Sequence, residues 1–456
     1  MKSVLAIAGI AIRSAFRSRV VLSLFAMLLA IIVFLPMTIR SDGTIQGTIQ
    51  IMLRYALGLS FGILSLSGLW SGCAAVAAEI ESRTLHLVVT KPVRPISIWL
   101  GKWLGIFLLH GSLLVVCSGI STALLWHRLD REIEASGQTV SVRDLLYVHR
   151  EVQPDEPSVL PEARNRLREE IAAQQVPGDV SPDQRLRELI QQLQLERNAV
   201  SRSGVRQWTL PLPPASRTDL SPRLVYRMSS SNVGAEPIPG RWILRDTNGT
   251  ALMDIEQEGI PTAVNQIDLP PELLAGRDQM TLEYINSGDR PVTVIFHPAD
   301  GLILQIPAAD FPWNLARSLV LMLGQLGFFI ATGLTAGTLF SFPVAAFLSL
   351  YLMIMIRTAG YIQGMANRVV ATPWSDQPEA AGSWGTYLLT GIYRILAAMV
   401  QPMTGHDPLQ ALALGRLIST RWLIDTVLVQ GVGLCGLLAL VTSFALSRKE
   451  IGLPGQ

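Results

Sequence analysis

The sequence predicts an α-helical integral membrane protein with six transmembrane helices and an inserted extracytoplasmic α+β domain, a helical part followed by a β-sandwich-like part. Three observations lead there. Of 456 residues 49% are hydrophobic and only 16% charged, with a mean hydropathy of +0.37, too apolar for an ordinary soluble chain. Six apolar segments approach the roughly 20 residues that a helix needs to cross the hydrocarbon core. Between the third and fourth, residues 127–312 turn abruptly polar and acidic, with 19 Arg and no Lys against 27 Asp plus Glu.

Residues 1–19 are apolar at Val4, Leu5, Ile7, Ile10, Ile12 and Phe16, with Arg13, Arg17 and Arg19 towards the end, and read as an amphipathic helix on the cytoplasmic surface. Transmembrane helices are expected at 20–39, 51–78 and 99–126, within a first block 20–126, and at 315–336, 343–364 and 422–446, within a second block 313–446. The first helix reads as a retained anchor, because no small-x-small cleavage pattern lies near Pro36-Met37-Thr38. The basic residues before it, those between Arg83 and Lys102, and Arg448 with Lys449 in the tail 447–456 fall on one side, which places both termini in the cytoplasm. The segment 384–403 has Arg394 at its centre and Pro402 near its end, and reads as a re-entrant or interfacial helix.

Within 127–312 the first part, 127–204, reads as helical. Residues 162–174 are charged throughout, Val176-Pro177-Gly178-Asp179 supplies a turn, and Ser181-Pro182-Asp183 offers an N-cap, a first-turn proline and an early acid. Leu186, Leu189, Ile190 and Leu193 mark one apolar face. From Val205 the period shifts towards two, so 205–312 reads as β-rich, with strands at 224–228, 241–245, 251–256, 280–285, 291–297 and 302–306, and a hairpin turn at Asp246-Thr247-Asn248-Gly249.

Absences narrow the chemistry. No G-x-x-x-x-G-K-[ST] occurs, so the chain is not expected to hydrolyse ATP itself, and neither H-E-x-x-H nor G-x-S-x-G is present. The six histidines are scattered without metal-ligand spacing, and Cys73, Cys117 and Cys435 each sit in an apolar segment. No catalytic residues, metal or cofactor of its own and no nucleic-acid partner are expected. Spaced glycines, Gly58 with Gly62, Gly68 with Gly72, Gly101 with Gly105 and Gly333 with Gly337, would let helices approach closely. His110 and Arg357 are the ionisable residues deepest in the expected spans, and so candidates either for burial against neighbours or for contact with cargo.

One stretch carries more. The second apolar segment exits through Glu79-Ile80-Glu81-Ser82-Arg83-Thr84-Leu85, crosses Pro92-Val93-Arg94-Pro95 and re-enters apolar sequence at Gly101-Lys102. This run resembles the E-x-E-x-G-T-L, P-x-x-R and G-K pattern of the membrane subunits of type-2, exporter-like ABC transporters, with Arg83 where glycine is usual. The basic N-terminal helix, six spans and basic tail also fit that family; the 186-residue insertion departs from it. The resemblance implies a permease subunit whose cytoplasmic loop 79–98 takes up work from a separate ATPase that holds ATP and Mg. Its coupling residues would be Glu79, Glu81, Arg83, Thr84, Leu85, Pro92 and Arg94. It also implies a homodimer or paired permease, whose inserted domain would gate the path, bind cargo or recruit a periplasmic partner; the absence of a eukaryotic targeting pattern points to the bacterial inner membrane. From a different class, a membrane-anchored assembly or binding protein, whose inserted domain recruits a ligand or partner, fits the same composition.

Overall fold

The computed structural model describes residues 2–17, 20–38, 45–81, 94–136, 142–175, 181–213, 220–231, 236–297, 301–369 and 407–448. It divides into two compact units, a helical one (Met1–Leu146 with Asp310–Arg368 and Gln377–Gln456) and a β-rich one centred on Tyr147–Ala309.

In chain order the helical unit contains α1 (Lys2–Arg17), α2 (Val20–Thr38), α3 (Ile45–Gln50), a π-helical segment (Ile51–Leu57), α4 (Gly58–Glu81), α5 (Pro95–Ser136) and α6 (Val142–Leu145). Among the described residues four helical stretches in this unit are long and apolar enough to cross a membrane: Gly47–Ala77, Pro95–Arg131, Phe311–Leu339 and Thr420–Ser447. The chain is therefore a membrane protein with an additional β-rich unit. Two further apolar helices, Leu22–Leu35 and Phe342–Ile356, are shorter; they fall where the sequence predicts the first and fifth spans. The segment 384–403 lies outside the described residues.

The β-rich unit holds β1 (Val148–Val152), the helical hairpin α7 (Leu160–Ala172) and α8 (Pro182–Asn198), then β2 (Ala199–Val200), β3 (Val205–Pro211), β4 (Arg223–Ser230), β5 (Ile238–Arg245), β6 (Ala251–Gly259), β7 (Val264–Asp268), β8 (Gln279–Asn286), β9 (Val294–Phe296) and β10 (Leu302–Ala309). Ser181 caps α8 by accepting the Gln184 N–H at 3.2 Å, and Leu189 and Leu193 bury against Val159 and Ala163 of the hairpin. One sheet runs β3-β8-β5-β6. In the other, β4 lies between β7 and a strand broken into β9 and β10. The break is a local excursion: Met228 pairs with Phe296 and Tyr226 with Leu302, while Arg227 donates to Gly301 O and accepts from His297 N–H in between. A single core joins both sheets, with Trp242 stacked among Trp208, Tyr226, Tyr284 and Phe296 at centroid distances of 4.6–6.3 Å. This is the sandwich that the period-two pattern predicts. Burial pushes the Tyr226 phenol up to about 12.

Two boundaries move. The polar block begins at 127 in sequence, yet α5 continues through Ser136 and the β-rich unit starts at Tyr147. Residues 127–136 are charged but contain no glycine or proline, so leaving the apolar stretch does not end the helix. The nominally helical stretch also contains β1, and the strand expected at 291–297 shortens to Val294–Phe296.

After β10 the chain enters α9 (Phe311–Leu339), then α10 (Phe342–Val369), α11 (Pro408–Ala413), α12 (Thr420–Thr426), a second π-helical segment (Val427–Leu434) and α13 (Cys435–Arg448). α9 is the hub of the helical unit: 67% of its most apolar window is buried, against 22% for Thr420–Ser447. Its small residues explain this. A Cβ on Gly72 would sit 2.7 Å from Ile330 O and 3.0 Å from Leu334 N, and Cβ atoms on Gly333 and Gly337 would strike Leu69 O and Cys73 O. α4 and α9 therefore touch backbone to backbone, as their glycine spacing predicts. Gly58 and Gly62 serve no such contact: Gly62 faces open space. Thr442 Oγ1 donates to Thr335 Oγ1 at 3.0 Å, tying α13 to the hub.

We expect Gly333→Leu to lower the thermal unfolding midpoint of the detergent-solubilised protein, at a cost of about 1–3 kcal/mol for forced overpacking. Gly62→Ala should not lower that midpoint and should raise it slightly, because nothing lies within 4 Å and alanine favours a helix interior over glycine. A differential scanning fluorimetry series distinguishes the two.

Candidate functional site

The site is built where α4 ends and α5 begins, on either side of residues 82–93. α4 loses its apolar character at Glu79 and is described to Glu81. α5 restarts at Pro95, a residue suited to the first helical turn, and the Arg94 carbonyl accepts the Ser97 N–H at 2.8 Å. Arg94 itself is exposed.

Two turns into α5, Lys102 points back at α4. Its ammonium pairs with the Glu79 carboxylate and donates to the Ala75 carbonyl. The Lys102 side chain is 8% exposed and that of Glu79 37%. A lysine this buried in an apolar helix is costly unless paired, so the two partners are what permit it. The opposed helices are joined again two turns further along, at His110. Its Nδ1–H donates to Ile106 O at 2.9 Å, which leaves Nε2 to accept the Ser67 hydroxyl at 3.1 Å. Both ring nitrogens are thus engaged, and His110 serves as a strut between α4 and α5.

The opposite flank of α5 carries α1. Cβ atoms on Gly101 and Gly105 would lie 2.7 Å from Ile7 Cβ and 2.9 Å from both Ala11 Cβ and Ala8 O. The close glycine spacing of α5 is therefore matched by small residues of α1, and Ala8 is buried. This face of α1 is distinct from its exposed apolar residues Leu5, Ile10 and Phe16. The helix is amphipathic as predicted, and its closest packing surface joins Ile7, one of the apolar residues named from sequence, to Ala8 and Ala11, which are too small to stand out in a hydropathy reading. A third face of α5 carries a stack of Trp99, Trp103 and Phe107, at centroid distances of 6.2 and 5.0 Å, and Trp103 Nε1–H donates to Gly327 O of α9 at 2.9 Å.

Of the residues named from sequence, Glu79, Arg94 and His110 are placed here. Arg83, Thr84, Leu85 and Pro92 lie outside the described residues, as do the side chains of Glu81 and Arg357. Sequence reasoning noted Lys102 only as part of a motif; the signal available was an ionisable residue inside an apolar run. It missed Ser67 and the clamp at the far end of α9. There Asn314, fully buried, donates to Arg416 O at 2.9 Å and accepts the Ile418 N–H at 2.9 Å, while Arg317 donates to Ile418 O at 2.8 Å. No cluster of metal-ligating side chains is present among the described residues. Comparison of the chain with protein families, curated proteins and solved structures finds no match.

The pair behaves asymmetrically. Glu79→Gln leaves a buried ammonium with neutral acceptors only, whereas Lys102→Met leaves a carboxylate on a side chain that is 37% exposed. Thermal unfolding of the purified variants should show Glu79→Gln as the more harmful, by about 1–3 kcal/mol, and the double variant close to Lys102→Met.

Proposed function

We propose that this chain is the permease subunit of an ATP-driven ABC transporter of the type-2, exporter-like kind, which couples hydrolysis on a separate ATPase to movement of a substrate across the bacterial inner membrane. In this reading six helices cross the bilayer, both termini are cytoplasmic, the permease acts as a dimer, and the β-rich unit lies outside. ATP and Mg belong to the partner subunit.

The observation that carries the reading is the bracing of both ends of residues 82–93. Force applied to a loop reaches the helices only if its ends are stiffly joined to them. Here the Glu79–Lys102 pair and the Ser67–His110 strut hold α4 against α5, and α1 is packed on α5 through Gly101 and Gly105. Closure of two ATPase subunits would tilt these helices as one body, and α4 would transmit the tilt to α9 through the Gly72–Gly333 contact. Glu81, Arg83 and Thr84 would supply polar contacts to the ATPase, and Leu85 an apolar anchor in its groove.

A second reading rests on the β-rich unit, which has its own hydrophobic core. A membrane-anchored assembly or binding protein would need such a body and no coupling loop.

Coexpression of the full chain with the ATPase subunit encoded nearest to it separates the two. The permease reading expects stable co-purification, and Leu85→Asp should weaken it roughly tenfold, the loss of about 1.4 kcal/mol. Maleimide labelling of Arg83→Cys from the cytoplasmic side only is the matching topological result. Absence of any retained ATPase, or labelling of that cysteine from outside, overturns the reading.

A further inference from the structure

β6 is the outermost strand of the four-stranded sheet and, among the described residues, pairs with β5 alone. The opposite edge, β3, is partly capped, since the Asp155 N–H donates to Thr209 O at 2.9 Å. β7, at the edge of the other sheet, has its Gln266 carbonyl taken by the Gln257 side chain at 3.0 Å. Among the described residues β6 has neither kind of cover, and its nine residues, Ala251–Gly259, include no proline and no lysine. Such an edge offers a row of backbone donors and acceptors to any strand that fits it.

Charge decides which strand fits. Met253 and Ile255 turn inward onto the core, and Asp254, Glu256 and Glu258 point outward. Arg241 holds Asp254 by two hydrogen bonds of 2.9 and 2.6 Å. Glu256 and Glu258 form no ion pair among the described residues. A second copy of β6 would set carboxylates against carboxylates, which opposes pairing. At the end of the strand a cleft of about 560 Å³ opens, lined by Glu258, Glu236, Asp289, Arg290, Ser230 and Asn286. Arg290 is paired with Glu236, and the carboxylates of Glu258 and Asp289, which also line the cleft, form no ion pair among the described residues.

We infer that β6 and this cleft dock a basic, extended segment of another protein. The segment adds as a fifth strand to the sheet, and its lysines or arginines at alternate positions, about 7 Å apart, meet Glu256 and Glu258. A cationic side chain one step further enters the cleft beside Asp289. The inference is independent of whether the helical unit is driven by ATP.

The test uses the full chain in nanodiscs of zwitterionic lipid and a fluorescent nine-residue peptide of alternating lysine and valine, matched to the length of β6. Fluorescence anisotropy should show saturable binding. The pair Glu256→Gln and Glu258→Gln should weaken it roughly tenfold or more with the unfolding midpoint little changed, because both residues are exposed and form no ion pair among the described residues. Methylation of alternate peptide nitrogens on the lysine peptide should weaken it as much, since strand addition needs those N–H groups. No binding, equal binding of a glutamate–valine peptide, or binding indifferent to N-methylation overturns the inference. So does efficient cross-linking of Glu256→Cys protomers to each other through β6, which would place a second copy there.

Discussion

The helical unit depends on one contact, the backbone-to-backbone approach of α4 and α9 at Gly72, Gly333 and Gly337. Lipid tails are as apolar as leucine, so helices in a bilayer gain little by hiding hydrophobic surface from one another. What remains is dispersion at close range and hydrogen bonds that cannot be made to water. Three glycines in facing positions let two helices come near enough for both. Once α4 is fixed on α9, Ser67 is presented to His110 and the Ala75 carbonyl to Lys102, so α5 is registered in turn. α1 then follows α5 through Gly101 and Gly105. The order of dependence runs from the most buried helix outward to the most polar one.

Lys102 shows how little freedom that arrangement leaves. Its ammonium is almost fully withdrawn from solvent and has two acceptors, one of them the last strong acid of α4 for which a partner is placed. A pair of this kind adds little net stability compared with an apolar substitute, because desolvation offsets most of the attraction. Its value lies in specifying geometry: α4 and α5 cannot slide by a turn without stranding a charge. A loop joined to two helices that cannot slide is a better lever than one joined to two that can.

Legibility from sequence followed the strength of each signal. Four of the six expected spans were legible, because length and hydropathy act over twenty or so residues, and the sandwich was legible because Val292, Val294 and Phe296 and their counterparts alternate; β9 and β10 emerged from that pattern with only their limits altered. The hairpin turn after β5 was legible in Asn248-Gly249, where Gly249 adopts φ 78°. β1 and β7 were not, since Val148–Val152 and Val264–Asp268 interleave charged or amide residues with too few apolar ones. Glycine spacing named the close helix contacts but not their partners: Gly101 meets Ile7 of α1, and Gly105 meets Ala8 and Ala11, a residue type that carries no pattern of its own. The Asn314 clamp was invisible because it joins residues a hundred positions apart through backbone atoms, and any sequence at 416–418 would supply those.

The charge composition of the β-rich unit links these observations to its surface. All of its cations are arginines, and arginine's planar fork suits the bidentate pairing found at Arg241–Asp254 and Arg185–Glu170. Acids outnumber arginines in 127–312 by 27 to 19, so even complete pairing leaves carboxylates over. A surplus spread evenly would serve solubility alone. Glu256 and Glu258 instead lie along an edge strand, and Glu258 and Asp289 line the cleft at its end. Carboxylates there repel one another and repel a like edge, a protection against self-pairing that costs nothing in the folded core. The same arrangement that refuses a copy of itself lowers the barrier to a strand of opposite charge, so protection and recognition are properties of one row of side chains.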